Sequence, residues 1–314
     1  MSATSIFRTA GRFAVLFALL GIAQLLSRGQ VTNFLVAAEA DAFVRELAPA
    51  DNYGRAGNLS VAGASALNGF GAPGGGADSL MRFRLEAQAA ELDSFFRNHD
   101  WFIARAALHL YELGMPNNPI FSMGVGSFSI AWLADGDAWE EGSGSPNAPA
   151  AEGVAFQDLA ALLDPLKDIL LGSFQNTGAD GWLVASLGLP EAFVQDLRSG
   201  SALTLHLAPT GDEIGFTFLS RSDRRTELQA RLELAAAAGP RPSIQSIELS
   251  APNQVTIRFN TRLGWTYAMQ YREDFDGAWV NLASTIVAAS DGTAATIDAT
   301  TSPHRIYRLV VAPP

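Results

Sequence analysis

Acidic side chains concentrate in one short stretch of the chain. Asp135 and Asp137 flank a glycine, and Trp139, Glu140 and Glu141 follow within four residues. Carboxylate oxygens are the ligands that Ca²⁺ prefers, so Asp135 and Asp137 are candidate calcium ligands. The stretch lacks the fixed ligand spacing of a helix–loop–helix calcium loop, and a solvated acidic turn without metal is the alternative. If the fold brings them close, further oxygen ligands would come from Asp41, Asp51 and Asn52.

Aromatic side chains suggest a second kind of chemistry, sugar recognition. A flat ring covers the apolar face of a pyranose, while nearby carboxylates and amides meet its hydroxyl groups. Trp139 lies in the acidic turn and Tyr53 lies in an Asn-Tyr-Gly turn, so both are expected to be exposed, although Tyr53 could instead pack under its turn. We predict that Tyr53, Trp139, Glu140 and Glu141 bind the ligand. The remaining aromatic candidates are Trp101, Trp132, Trp182 and Tyr111, of which Trp132 is expected to be buried.

The sequence contains no recognisable catalytic arrangement. No GxSxG motif occurs, and the four histidines are isolated, with no HExxH pair. Glu140 and Glu141 are adjacent and would point to opposite faces of a strand, so they form a poor pair for glycoside hydrolysis. The only lysine, Lys167, follows a leucine, which excludes a phosphate-binding loop. We predict that the protein is not an enzyme; a lyase or hydrolase site assembled from scattered residues is the alternative.

Residues 1–29 are predicted to be a signal peptide. Arg8 and Arg12 precede an apolar run over residues 13–26, and the small residues Ser27 and Gly29 are placed for cleavage after Gly29. The apolar run is shorter than the roughly 20 residues that a membrane-spanning helix needs, and an uncleaved anchor is the alternative. We therefore expect a secreted protein, extracellular or on the cell surface, that does not contact the membrane after cleavage.

The charge balance narrows the range of partners. Residues 1–30 carry three arginines and no acidic residue, so the remaining chain has 18 basic and 32 acidic residues, a net charge of −14. Such a chain lacks the clustered positive charge that binds nucleic acid or anionic membranes. Cysteine is absent, which excludes thiol nucleophiles and disulfide stabilisation, so the domains must be stabilised by burial.

The elements that must position these residues are strands. Strand-like runs separated by glycine and proline fill residues 30–234, with short helices predicted at 84–96 and 190–197 and a further possible helix at 158–170. Nine predicted strands with long connections indicate a jelly-roll-like β-sandwich. An Ala/Pro segment at 235–242 is predicted to be an extended linker, with a helical extension as the alternative. In residues 243–314, clean alternation at 255–260 and 267–272 predicts a second, smaller antiparallel β-sandwich.

The order of several short phrases resembles a known family. They are residues 40–44 (Ala-Asp-Ala-Phe-Val), 52–54 (Asn-Tyr-Gly), 59–63, 79–83 (Ser-Leu-Met-Arg-Phe), 107–111 and 137–142. In this order and spacing they resemble the extracellular DNRLRE-type β-sandwich modules, over roughly residues 38–234. That family is associated with polysaccharide binding. Residues 243–314 are similar in architecture to fibronectin type III-like modules.

These observations lead to one preferred functional hypothesis. The preferred hypothesis is a secreted noncatalytic surface or matrix protein that binds polysaccharide, with calcium as the one candidate cofactor. The alternative is a self-assembling structural subunit of an extracellular matrix or filament, in which exposed sheet edges pair between copies. The predicted partners are therefore polysaccharide or neighbouring copies of the same chain.

Overall fold

A computed structural model describes residues 31–68, 71–96, 100–114, 125–274, 277–299, 302 and 304–312. The predicted signal peptide lies outside the described residues. The contacts divide the chain into two compact units. The larger unit contains residues 33–95 and 105–235, and the smaller one contains residues 96–104 and 236–314.

The strands up to residue 238 are antiparallel, and most of their residues lie in the larger unit. Their bounds are β1 Val31–Ala37, β2 Ala40–Arg45, β3 Asn58–Ala62, β4 Ala77–Arg84, β5 Trp101–Glu112, β6 Gly126–Leu133, β7 Ile169–Asn176, β8 Gly181–Leu187, β9 Ala202–Pro209, β10 Gly215–Leu219 and β11 Arg231–Ala238. All nine predicted strands are present, and β1 and β7 are additional. The all-β sandwich fold with short helical insertions is confirmed.

Two groups of paired strands position the residues discussed below. In the first, β4 pairs with β2 on one side and with β9 on the other, and β6 joins β9 to β7. In the second, β5 lies between β11 and β8, with Tyr111 directly opposite Trp182. Phe128 on β6 is buried, and its ring centre lies 5.5 Å from that of Phe218 and 6.0 Å from that of Phe216. Such aromatic burial is a large contribution to the stability of the sandwich.

Among the described residues, three short α-helices interrupt the strands: α1 Glu86–Phe95, α2 Leu159–Leu162 and α3 Glu191–Ser199. Short 3₁₀ helices lie at Phe156–Asp158 and Thr226–Leu228. The predicted helices at 84–96 and 190–197 are confirmed. Pro190 caps α3 with an extended backbone (ψ 149°) and so lies just before the first helical residue. Gly200 ends α3 in the left-handed region (φ 76°), which glycine adopts at little cost. At 158–170 only one helical turn forms before β7 begins.

The smaller unit contains seven strands: β12 Ile244–Ala251, β13 Gln254–Thr261, β14 Thr266–Arg272, β15 Val280–Asn281, β16 Ile286–Val287, β17 Gly292–Ala299 and β18 Ile306–Ala312. One sheet has the order β12-β13-β17, and in the other β14 pairs with β15, β16 and β18. Alternate residues of β13 and β14, among them Ile257, Phe259, Tyr267 and Met269, form a buried core with Trp265. The predicted second antiparallel sandwich is therefore present.

The alanine run at 235–238 lies in the last part of β11 and is extended rather than helical. Ala235, Ala236 and Ala237 are buried. The predicted linker limits of 235 and 242, and the likeness to fibronectin type III, stay predictions. Among the described residues, no helix is long and apolar enough to cross a membrane.

Candidate functional site

The acidic turn follows β6, but its tryptophan is not a surface residue. Only 5% of Trp139 is exposed, so the prediction that its ring is exposed is wrong. The indole N–H donates to Thr204 Oγ1 at 3.1 Å, and the Arg82 guanidinium lies 5.0 Å from the ring centre. Arg82 also donates to the main-chain oxygens of Asp137 (3.0 Å) and Trp139 (2.6 Å). Arg82 therefore fixes the turn against β4.

Asp135 and Asp137 make separate contacts. Asp135 is exposed and forms an ion pair with Lys167, whereas the Asp137 carboxylate accepts a hydrogen bond from Thr204 Oγ1 at 2.9 Å. Burial raises the pKa of Asp137. Within the described ranges, no three His, Cys, Asp or Glu side chains are grouped so that they could hold a metal ion. Calcium binding by Asp135 and Asp137 stays a prediction.

Tyr53 is also buried, with 5% of its surface exposed, so the expectation of an exposed ring is wrong here too. Its ring stacks on Phe43 with 4.7 Å between ring centres, and its hydroxyl donates to Asp51 Oδ2 at 3.4 Å. Burial raises the pKa of Tyr53. The alternative interpretation, that Tyr53 packs under its turn, is confirmed.

Asn52 joins the Asn-Tyr-Gly turn to the acidic turn. Its side-chain amide donates to the main-chain oxygens of Glu141 and Val154, both at 2.8 Å. Its Oδ1 accepts from the main-chain N–H groups of Gly54 and Gly144, both at 3.1 Å. A buried amide with all its hydrogen bonds satisfied stabilises a fold. The fold therefore brings Asn52, Tyr53 and Glu141 together, with packing and hydrogen bonds that hold the two turns in place.

Glu141 belongs to a charged cluster with Asp41 and Arg221. The Arg221 guanidinium donates to both Glu141 oxygens, at 2.8 and 2.6 Å, and Asp41 donates its main-chain N–H to Glu141 at 3.0 Å. Asp41 is fully buried, and burial raises its pKa to about 7. Glu140, by contrast, is exposed, and only its main-chain oxygen makes a described hydrogen bond, to the Val154 N–H. Ligand binding by these residues stays a prediction.

A different surface presents the exposed aromatic side chains. We call it the aromatic face; it is formed by the outward-pointing residues of β8, β5 and β11. Trp182 is 44% exposed and Val184, two residues further along the same strand, is 49% exposed. The Trp182 ring meets Tyr111 edge to face, with 5.5 Å between centres and an angle of 88°, and lies 6.3 Å from His109. The indole is therefore held in a fixed orientation while much of it stays open to solvent.

Charged groups lie beside these rings on the aromatic face. Glu233 accepts a hydrogen bond from Arg105, and one of its oxygens lies 2.7 Å from His109 Nε2. Arg231, two residues before Glu233 on the same strand, donates to the main-chain oxygens of Thr226 and Glu227. Side chains two apart on a strand share a face, so an apolar platform and a polar network occupy one surface.

The aromatic face has the chemistry of a sugar subsite. An exposed indole offers its ring to the C–H face of a pyranose, and the neighbouring polar groups offer donors and acceptors to hydroxyls. Sequence reasoning named Trp182 and Tyr111 only as candidates and treated His109 as isolated. The aromatic face could have been predicted from residues at even spacing, which share one face of a strand. They are Trp182, Val184 and Ser186 on β8, and Arg105, His109 and Tyr111 on β5.

No protein-family model matches the chain, and no curated protein matches it. Among solved structures, it is similar to a calcium-binding mutant of Bacteroides uniformis β-glucuronidase 2, with 12% identity, a TM-score of 0.26 and coverage of 89% of this chain and 30% of that one. It is also similar to Ruminococcus gnavus β-glucuronidase, with 8% identity, a TM-score of 0.23 and coverage of 91% and 42%. The chain spans less than half the length of these proteins, and at such TM-scores the similarity carries no argument.

Proposed function

We propose that the protein is a secreted, noncatalytic polysaccharide-binding protein of the DNRLRE type and that the aromatic face holds the ligand. The observation that carries the proposal is the Trp182 ring, 44% exposed and oriented by Tyr111 and His109. The net negative charge of the chain supports a glycan partner over nucleic acid or an anionic membrane.

The geometry favours stacking of a sugar ring on Trp182. A pyranose on the open side of the indole would place its hydroxyls towards the network of His109, Arg105 and Glu233. Glu233 is already hydrogen-bonded to both neighbours, so it is held in place before the ligand arrives. Preorganised polar groups of this kind reduce the entropy lost on binding. Because a polysaccharide repeats its sugar units, its overall affinity would exceed that of one weak sugar contact.

The direct test is Trp182→Ala, with Leu170→Ala as the matched control. Leu170 is 62% exposed on β7 of the same unit, so both substitutions remove an exposed apolar side chain from a strand. In affinity electrophoresis through gels containing neutral polysaccharides, we expect retardation of the native protein and of Leu170→Ala. Loss of one stacked ring should weaken binding about tenfold, which corresponds to an aromatic contact of ~1.4 kcal/mol.

Two results would contradict the proposal. If Trp182→Ala is retarded as strongly as the native protein, the aromatic face is not the binding site. If no polysaccharide retards the native protein, polysaccharide binding is not its function. Glu140→Ala tests the acidic turn separately, because Glu140 is exposed and its side chain makes no described hydrogen bond. Weakened binding in Glu140→Ala, with Trp182→Ala unaffected, would assign the ligand to the acidic turn.

A second candidate function is self-assembly through an edge strand, with a second copy of this chain as the partner. Among the described residues, β12 pairs only with β13, so its other edge has free hydrogen-bonding groups. Ile247 lies opposite the buried Ile257 yet is 53% exposed, and Leu249 is 77% exposed. An apolar, unprotected edge is a template for strand pairing between copies.

Self-assembly predicts concentration-dependent oligomers in size-exclusion chromatography and ordered particles in electron microscopy. Ile247→Lys combined with Leu249→Lys should abolish them, because charge on an edge strand blocks pairing. Leu263→Lys, at a residue 61% exposed in the turn after β13, is the control. A native protein that stays monomeric at high concentration would exclude this function.

A further inference from the structure

The larger unit contains an open cleft that is separate from the aromatic face. Its volume is about 650 Å³, which falls within the range of small-molecule sites. One wall contains Glu46, which follows β2, Asp78 on β4 and the turn between β9 and β10, and the other is the segment around α2. The two walls differ in chemistry, and this difference identifies the class of ligand.

The sheet wall carries carboxylates. Val44 lies opposite Asp78, and the Glu46 N–H continues the pairing by donating to the Gly76 oxygen at 2.9 Å. Glu46 and Asp78 are therefore diagonal neighbours on one face, an arrangement that typically places residues about 7–8 Å apart. Asp212, from the turn between β9 and β10, adds a third carboxylate to the lining.

These carboxylates differ in how far the protein already satisfies them. Asp78 Oδ2 lies 2.7 Å from Nε2 of His206, which is 8% exposed. One Glu46 oxygen accepts the Gly76 N–H at 3.2 Å. The exposed Asp212 carboxylate makes no hydrogen bond or ion pair with the described residues. None of the residues that line the cleft is lysine or arginine, so Glu46 and Asp212 keep their negative charge available to a ligand.

The opposite wall is apolar. It is formed by Phe156, Leu159 and Leu163, which pack against the cluster that contains Val44 and Leu80. Leu159 is 7% exposed and anchors this wall, while Phe156 and Leu163 are only partly buried. The cleft therefore combines two exposed carboxylates, Glu46 and Asp212, with an apolar surface.

We infer that this cleft binds a primary ammonium group carried on a short aliphatic chain. The ammonium would lie between Glu46 and Asp212, and the methylene groups would pack on Phe156 and Leu163. An anion is disfavoured by the three carboxylates, and a neutral apolar molecule would offer no donor or positive charge to Glu46 and Asp212. A bare divalent cation would gain nothing from the apolar wall.

The test is isothermal titration calorimetry of the full chain with 1,5-diaminopentane, 1,5-pentanediol, glucosamine and Ca²⁺. We expect saturable binding of the diamine that weakens with added salt, no saturable binding of the diol, and no displacement of the diamine by Ca²⁺ beyond the effect of its ionic strength. Glu46→Gln and Asp212→Asn should each weaken diamine binding about threefold, and together about tenfold, as expected for partly exposed ion pairs. Asp78 is left intact because it is bonded to the buried His206.

Two control variants separate the outcomes. Glu213→Gln changes the net charge equally, next to Asp212 but outside the cleft lining, and should leave diamine binding unchanged. Trp182→Ala should also leave it unchanged, so that failure of the polysaccharide proposal does not affect this one. Absence of diamine binding, equal binding of the diol, or no effect of the double variant would overturn the inference. Binding of glucosamine without the diamine would overturn the assignment of an aliphatic chain to the apolar wall.

Discussion

Asp41 should make the stability of the protein depend on pH. It is fully buried on β2. Its Oδ2 accepts the Arg221 main-chain N–H at 2.7 Å, while Oδ1 has no hydrogen-bond partner among the described residues. Burial is the largest cause of the raised pKa of about 7, and the negative charge of Glu141 adds to it. The Arg221 N–H lowers the pKa but does not offset burial.

The sign and size of the effect follow from proton linkage. The native state holds the Asp41 proton more tightly than the unfolded state, so stability falls as pH rises above the unfolded pKa of about 4. The fall is complete once pH passes the native pKa of about 7. Each tenfold difference in proton affinity is worth about 1.4 kcal/mol, so the rise from 3.8 to about 7 corresponds to ~4 kcal/mol.

Asp41→Asn removes this titration while keeping the shape of the side chain and an oxygen for the Arg221 N–H. Relative to the native protein, we expect the free energy of unfolding of the variant to rise by about 4 kcal/mol between pH 4 and pH 8. Urea unfolding at several pH values measures it, with the unfolding of the larger unit (residues 33–95 and 105–235) followed. Glu112, whose pKa burial also raises to about 7, contributes equally to both proteins, so the difference isolates Asp41.

The control for this experiment is Glu213→Gln, at an exposed carboxylate of the same unit. Its unfolding free energy should follow that of the native protein within about 0.5 kcal/mol at every pH. The reasoning is refuted if Asp41→Asn keeps the native dependence on pH, because burial would then not be what holds the Asp41 proton.

The strands could be predicted wherever burial on one face produces a period of two. Residues 255–260 and 267–272 alternate cleanly, and the structure places them in β13 and β14. Strand β7 was not predicted: the possible helix at 158–170 overlaps only its first two residues, and Gly172 interrupts its pattern. Its partner β6 lies more than 30 residues earlier in the chain, so its pairing has no local signal.

The exposed or buried state of single aromatic residues could not be predicted in the same way. A turn context suggested that Trp139 and Tyr53 were exposed. The residues that cover them are distant or on another strand: Arg82 lies 57 positions from Trp139, and Phe43 stacks on Tyr53. Turn chemistry is local, whereas burial is decided by the tertiary contacts that each turn makes. Trp132 was predicted correctly because its strand neighbours Phe128 and Ile130 already marked the buried face.

Three further substitutions test which contacts stabilise each sandwich by itself, each by urea unfolding. Asn52→Ala should lower the free energy of unfolding by about 3 kcal/mol, because it leaves buried main-chain groups without partners. The control, Asn33→Ala at an exposed position, should change it little. Phe259→Ala should lower the free energy of unfolding of the smaller unit by about 3–5 kcal/mol. The ring is 1% exposed, and its centre lies 5.6 Å from that of Tyr267. A smaller loss would mean that the core collapses around the cavity. Gly144→Ala should cost at least about 2 kcal/mol, because its Cβ would lie 1.8 Å from the Asn52 main-chain oxygen and neither backbone segment is free to move. Gly211→Ala meets no atom nearer than 3.9 Å and should stay within about 0.5 kcal/mol of the native protein. If Gly144→Ala and Gly211→Ala lower the free energy of unfolding equally, the close approach of Gly144 to Asn52, and with it the contact between the two turns, would be refuted.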